Sequence, residues 1–183
     1  MGTGHRRVVR TLVLVLVASA ASACTLLSGE ERRIARRLDE LAEAASAHGP
    51  AESPVARMAA AVRVGRYFTE DVRVEADGAV WMKGRDAVVT LAAQGRTAVD
   101  QLHVRVSDVE VTLSGPESAT AYLTLVVSGG ARTGPDGAPE AIPGRTPSPD
   151  GILDARELLL TLRRVDGDWL IAGVERLKTL ERE

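Results

Sequence analysis

Few residues in this chain are placed to do chemistry. Cys24 is its single cysteine, and a lone thiol either stays free, bridges two chains or takes a covalent modification, since an intramolecular disulfide needs a partner. His5, His48 and His103 are scattered, with no H-x-x-x-H or C-x-x-C spacing, so no metal site is expected. The chain has no glycine-rich phosphate loop and no G-x-S-x-G elbow, and nothing in it demands a cofactor. What remains is Asp154 and Arg156, two apart on a predicted strand and so on one face, with Leu158, Leu160 and Leu162 continuing that face. Such a pair could orient a ligand at the mouth of an apolar pocket or, with a further acid, activate a water. The plain alternative is an ion pair at the exposed start of a strand. No second acid can be placed beside it, so no residue is assigned a catalytic role.

The surroundings of Cys24 decide among its three uses. The chain starts with Arg6, Arg7 and Arg10, continues with the unbroken run Leu12 to Val17, and reaches Cys24 through the small residues Ala18 to Ala23. A positive start, a short apolar centre and a small-residue end make residues 1–23 a secretory signal. The apolar part is too short for a comfortable membrane span, which takes about 20 residues. Ala21-Ser22-Ala23-Cys24 resembles a bacterial lipobox, in which cleavage between Ala23 and Cys24 follows attachment of a diacylglycerol to the cysteine sulfur. It departs from that pattern at Ala21, where Leu is usual. The alternative is cleavage by ordinary signal peptidase, which releases a soluble secreted or periplasmic protein. A single cysteine placed directly after the cleavage signal favours an extracytoplasmic protein anchored to the membrane through lipidated Cys24, because two acyl chains hold stably where one does not.

Removing the leader takes three of the 23 basic residues and none of the 25 acidic ones, leaving an acidic mature chain. That balance argues against nucleic acid, whose binders need a basic face. The mature length and the 45% hydrophobic content fit one domain: a tether over residues 24–29, then a domain over residues 30–183.

Within that domain Ile34, Leu38, Leu41, Ala42 and Ala45 form one stripe of a first helix, stopped by Gly49-Pro50. Ser53 as N-cap and Pro54 begin a second, expected to bury Val55, Met58, Ala59 and Val62. A strand through Val72 to Glu75 turns at Asp77-Gly78 into a short edge with Val80 and Trp81, and Gly84-Arg85-Asp86 opens a third helix. Leu102, Val104 and Val106 then alternate on one parity and Val109, Val111 and Leu113 on the other, which predicts a bulge near Ser107-Asp108. A strand with Ala119, Ala121, Leu123, Leu125 and Val127 on one face follows, and a last hairpin crosses Asp166-Gly167. Residues 129–151, rich in Gly and Pro, are expected to be a flexible loop, either a solvated insertion or, functionally, a flap over a pocket or a contact for a partner. Arg32, Arg33, Arg36 and Arg37 make a solvated helix face or, so soon after a lipid anchor, a contact for anionic headgroups. The sum is an α+β domain: three helices packed on a curved, bulged antiparallel sheet.

That order, with YFTEDVRVEADGAVWMKGRDAV (Tyr67 to Val88) and LLLTLRRVDGDWLIAGVE (Leu158 to Glu175), resembles the nuclear transport factor 2-like superfamily, which includes ketosteroid isomerase and the SnoaL-like polyketide cyclases. The resemblance implies a cone-shaped pocket between helices and sheet, and a homodimer through the outer sheet face. It implies no reaction, because this fold hosts enzymes, binding modules and scaffolds. The isomerase's general base corresponds to about Ala76, which cannot take a proton, and the neighbouring Asp77 points to the other face. Its oxyanion-stabilising tyrosine has no counterpart, since residues 34–47 contain no aromatic. Epoxide hydrolases of the superfamily use an Asp-Arg-Asp set, of which Asp154 and Arg156 would be two members. Tyr67 and Trp81 are candidate pocket walls because the family's pocket opens near the end of the second helix and the adjoining strand, with core packing as their alternative. The resulting expectation is a lipoprotein whose non-catalytic cone binds a small apolar ligand or a protein partner. The alternatives are a SnoaL-like or epoxide-hydrolase-like enzyme acting on a small apolar substrate, and a scaffold with a filled cone.

Overall fold

The computed structural model describes residues 29–47, 53–98, 101–130 and 151–177. The leader, Cys24, Gly49-Pro50 and the body of the Gly/Pro-rich segment lie outside the described residues. Helix α1 spans residues 29–45, α2 Pro54–Gly65 and α3 Arg85–Ala98; the strands are β1 Phe68–Ala76, β2 Ala79–Lys83, β3 Gln101–Leu113, β4 Ser118–Gly130, β5 Ile152–Val165 and β6 Asp168–Arg176. Together they make an α+β fold of three helices on one six-stranded sheet in the order β2-β1-β6-β5-β4-β3.

The hairpins follow from local chemistry. Asp77-Gly78 and Asp166-Gly167 all hold positive φ, as a two-residue turn matched to the strand twist requires. In β3 the register against β4 slips between Ser107 and Glu110, and Asp108 takes φ 53°. The extra residue carries the apolar side chains of both halves onto the same face and bends the strand. One pairing differs from the expected antiparallel sheet: β1 runs parallel to β6, with Val74 opposite Val174, so the sheet is mixed. These strands are joined only through every other strand, and no local turn signal encodes such a contact.

Helix α1 lies across the sheet and is pinned at both ends. At its start Trp169 Nε1 donates to Glu30 Oε2 at 2.8 Å, Arg33 Nη2 to the Gly167 carbonyl at 3.1 Å and Arg37 Nε to the Trp169 carbonyl at 3.0 Å. At its end the Val104 amide donates to Ser46 Oγ at 2.9 Å, and Ala47 bridges to Leu102. Between the pins Ile34 and Leu38 are buried against Val72, Leu123 and Leu162. Arg33 and Arg37 are thus committed to the fold, which leaves Arg32 and Arg36 on the exposed side.

Ser53 caps α2 as expected, its Oγ accepting from the Ala56 amide at 3.2 Å. The buried face is not the expected one. Ala60, Ala61, Val64 and Gly65 are inward, whereas Val55, Met58 and Val62 are 81%, 51% and 46% exposed and Ala59 is exposed too. The cause is close approach to α3: a Cβ on Gly65 would stand 2.6 Å from Val89 Cγ2. The small side of the helix faces its neighbour, and the larger apolar side is left outside.

The pin at Glu30 has a pH consequence. Its carboxyl is held below the ordinary 4.5, chiefly by the Trp169 hydrogen bond, with partial desolvation opposing and Arg164 and Arg33 assisting. A group whose pKa falls on folding stabilises the fold above its unfolded value, and that stabilisation is lost as pH drops through the folded value. Glu30→Gln is therefore expected to lower the urea midpoint at pH 7, with the gap to wild type closing as the pH is taken below about 4.5. Midpoints at pH 7 and pH 3 check this; an equal gap at both refutes it.

Candidate functional site

The inward-facing residues of successive strands set the depth of the site. On β4 exposure rises from Leu123, which is buried, to Val127, which is half-buried; on β5 it rises from Leu160 to Leu158 and on β6 from Ile171 to Val174. On α1 the same gradient runs from Leu38 to Ala45. These gradients share a direction, so the space between helices and sheet is closed at one end and open at the other. It is a cavity of about 310 Å³ lined by these residues together with Val64, Phe68, Met82 and Val88. Trp81, 63% exposed, and Leu91, 42% exposed, stand at its mouth. Among the described residues every wall side chain is apolar, and none is ionisable. Such a space suits a small apolar molecule, at the lower end of the usual range for ligand sites.

Charge begins one step beyond the wall. On the cavity face of β5 the residue after Leu158 toward the mouth is Arg156 and the next is Asp154; they stand opposite Leu125 and Val127, which line the cavity. Arg156 Nε donates to Asp154 Oδ1 at 2.8 Å, with the two side chains 45% and 25% exposed. On the same face of β6 the next residue beyond Val174 is Arg176, directly opposite Leu158. Directly paired residues share a face, so Arg176 also emerges at the mouth, where it pairs with Asp77 of the β1–β2 turn. The mouth therefore carries two arginine–aspartate pairs flanking Leu158.

Of the sequence-predicted site residues, Trp81 is part of the mouth, and Asp154 and Arg156 form the ion pair on its rim. Tyr67 stands outside the cavity, half-buried, with the Arg37 guanidinium 5.0 Å from its ring centroid. Ala76 ends β1, and the adjacent Asp77 is held by Arg176 rather than aimed into the cone. Cys24 lies outside the described residues. Among the described residues no cluster of His, Cys, Asp or Glu is arranged to hold a metal. Phe68, Met82 and Val174 are wall residues that sequence reasoning did not single out. Phe68 shares the parity of Val72 and Val74, but Met82 and Val174 face inward only because the register slips beside them in β2 and β6, which alternation does not reveal; nor does alternation carry information about depth along a strand.

A larger depression, about 920 Å³, lies at the opposite end, beside the β5–β6 turn. Its arginines (Arg37, Arg66, Arg85, Arg163 and Arg164) face an equal number of carboxylates, so it carries no net charge. The Thr69 hydroxyl there is buried and outside hydrogen-bonding geometry. It nonetheless acts on Asp71 and, with Arg163, holds that carboxyl below its ordinary value against partial desolvation. These groups mainly serve one another: Arg163 pairs with Asp71, and Arg85 Nε donates to the Phe68 carbonyl at 2.9 Å.

No protein-family model and no curated protein matches the chain. Solved structures do. A nuclear transport factor 2-like protein with a cystatin-like fold from Novosphingobium aromaticivorans aligns over 87% of this chain and 89% of its own, at 20% identity and a TM-score of 0.55. A Mycobacterium tuberculosis protein of unknown function aligns over 83% of this chain and 75% of its own, at 20% identity and a TM-score of 0.55. The association domain of C. elegans CaMKII aligns over 83% and 98%, at 11% identity and a TM-score of 0.53. At these identities the likeness concerns the fold, and the last of them shows the fold serving association. With its mixed sheet, bulged third strand and helix-covered cone, the chain has the nuclear transport factor 2-like fold.

Proposed function

We propose that this chain is an exported lipoprotein whose cone-shaped domain takes up a small apolar molecule without transforming it. The observation that carries the reading is the cavity of about 310 Å³ with an entirely apolar wall among the described residues. Acid–base or nucleophilic catalysis needs an ionisable group within hydrogen-bond reach of the reacting atom. Among the described residues the ionisable groups next beyond the wall on β5 and β6 are Arg156 and Arg176, each paired with an aspartate on the rim. Export and anchoring rest on the leader and on Cys24, which stands only a few residues before α1. Helix α1 starts at the closed end of the cone and, at about 1.5 Å per residue over residues 29–45, ends at its mouth. An anchor at Cys24 would join the domain at the end of α1 remote from the mouth. A homodimer, if formed, would use the outer sheet face, where Tyr122 and Leu159 are cross-strand partners, so that the mouth stays free.

Trp81 gives the test. The only other tryptophan, Trp169, is 2% exposed and absent from the cavity wall. Titration of the chain with N-phenylnaphthylamine, an uncharged aromatic probe, is expected to quench or blue-shift Trp81 emission to saturation at one probe per chain. A smaller saturable change in Trp81→Phe would mark the part owed to Trp81, the rest coming from energy transfer out of Trp169; no saturable change in the wild type would refute uptake.

A further inference from the structure

The mouth narrows the chemistry of the occupant, given the reading of the cone as an uptake site. A wholly apolar ligand needs only an apolar rim, yet the inward-facing position beyond the wall is arginine on both β5 and β6. Arg156 is half-exposed and uses Nε for Asp154. A guanidinium carries five N–H donors, and among the described residues the two Nη groups of Arg156 have no partner. They stand on the cavity face next to Leu125 and Leu158, where the wall ends. From this geometry we infer that the occupant is an amphiphile with a single anionic head: its apolar tail fills the cone and its carboxylate is received by Arg156. A carboxylate can take two parallel N–H bonds from one guanidinium. The tail crosses only apolar surface, so the head is the one part of the ligand left in water.

The rim aspartates give this assignment a sign that a merely structural arginine lacks. Asp154 competes for Arg156 and repels an anion, so its removal should strengthen the capture that removal of Arg156 weakens. The experiment is calorimetric titration of the full chain carrying Cys24→Ser, recovered without detergent, with dodecanoate and with dodecanol below their aggregation thresholds. Dodecanoate is expected to bind about tenfold more tightly than dodecanol. Arg156→Gln should remove that preference by weakening dodecanoate far more than dodecanol, and Asp154→Asn should tighten dodecanoate about two- to fivefold. Equal binding of both amphiphiles by the wild type, or equal weakening of dodecanoate by both substitutions, overturns the anionic head while the cone reading stands. If neither amphiphile binds, the cone reading fails with it.

Discussion

Ala45→Trp is expected to abolish uptake of an uncharged apolar probe while leaving the melting temperature unchanged or raising it. Ala45 lies on α1 near the mouth, half-buried, with its side chain on the cavity wall. An indole there has open apolar space to enter. Filling such space recovers transfer free energy and dispersion contacts, about 1–2 kcal/mol for a side chain that goes in without strain. In a domain of this size each kcal/mol moves the melting temperature by about 2–4 °C. If the cone were already filled by its own side chains, the same substitution would overpack it, at a cost of about 1–3 kcal/mol and a melting temperature several degrees lower. A thermal melt paired with a probe titration separates the cases: loss of binding without loss of stability marks an open cone, and a large drop in melting temperature marks a filled one.

Cys24→Ser is expected to move the protein from the membrane fraction to the soluble one. Two acyl chains contribute about 0.8 kcal/mol per buried methylene, enough that the lipidated form stays in the bilayer. Without the sulfur no diacylglycerol can be attached, and a chain freed of residues 1–23 would be acidic overall, which disfavours an anionic surface. Among the described residues no helix is long and apolar enough to cross a membrane. Arg32 and Arg36, the two members of the α1 arginine cluster on its exposed side, would contribute at most about 1 kcal/mol each near anionic headgroups. Fractionation of wild type and variant, with the intact mass of the mature N-terminus, reads the outcome. A variant whose mass shows the leader removed and that still stays in the membrane pellet defeats the anchor, as does a wild-type N-terminal cysteine without added lipid mass.

How much of this was legible in the sequence depended on the range of the interactions. The bulge at Ser107-Asp108 was readable because the switch of parity between Val106 and Val109 is written in adjacent residues, and the register slip falls there. The turns at Asp77-Gly78 and Asp166-Gly167 were readable for the same reason, since both positions must adopt positive φ. The parallel pairing of β1 with β6 was not, because nothing near Val74 specifies Val174 as its partner. The inward face of α2 was misjudged because that helix has apolar residues on more than one side. The choice was made by how closely Gly65 lets α3 approach, a property of two elements together.

The site divides along the same line. Asp154 and Arg156 were placed on one face by their spacing, and the structure sets that face at the mouth of the cone. Trp81 was a candidate wall residue and stands at the mouth. The involvement of Arg176 could not be read, because it depends on the register that puts it opposite Leu158. Tyr67, for which a pocket wall and core packing were both open, lies half-buried with the Arg37 guanidinium over its ring.

The central claim is that the cone is an open site for an apolar molecule. Its most direct test is methyl chemical-shift mapping of the selectively labelled chain during titration with N-phenylnaphthylamine. Leu123, Leu160 and Val174 line the cavity, whereas Val55 and Val62 present exposed methyls on the outer side of α2. Saturable shifts at the first three, with Val55 and Val62 unmoved, are the expected result. Shifts confined to Val55 and Val62, or absent at saturating probe, would contradict the account.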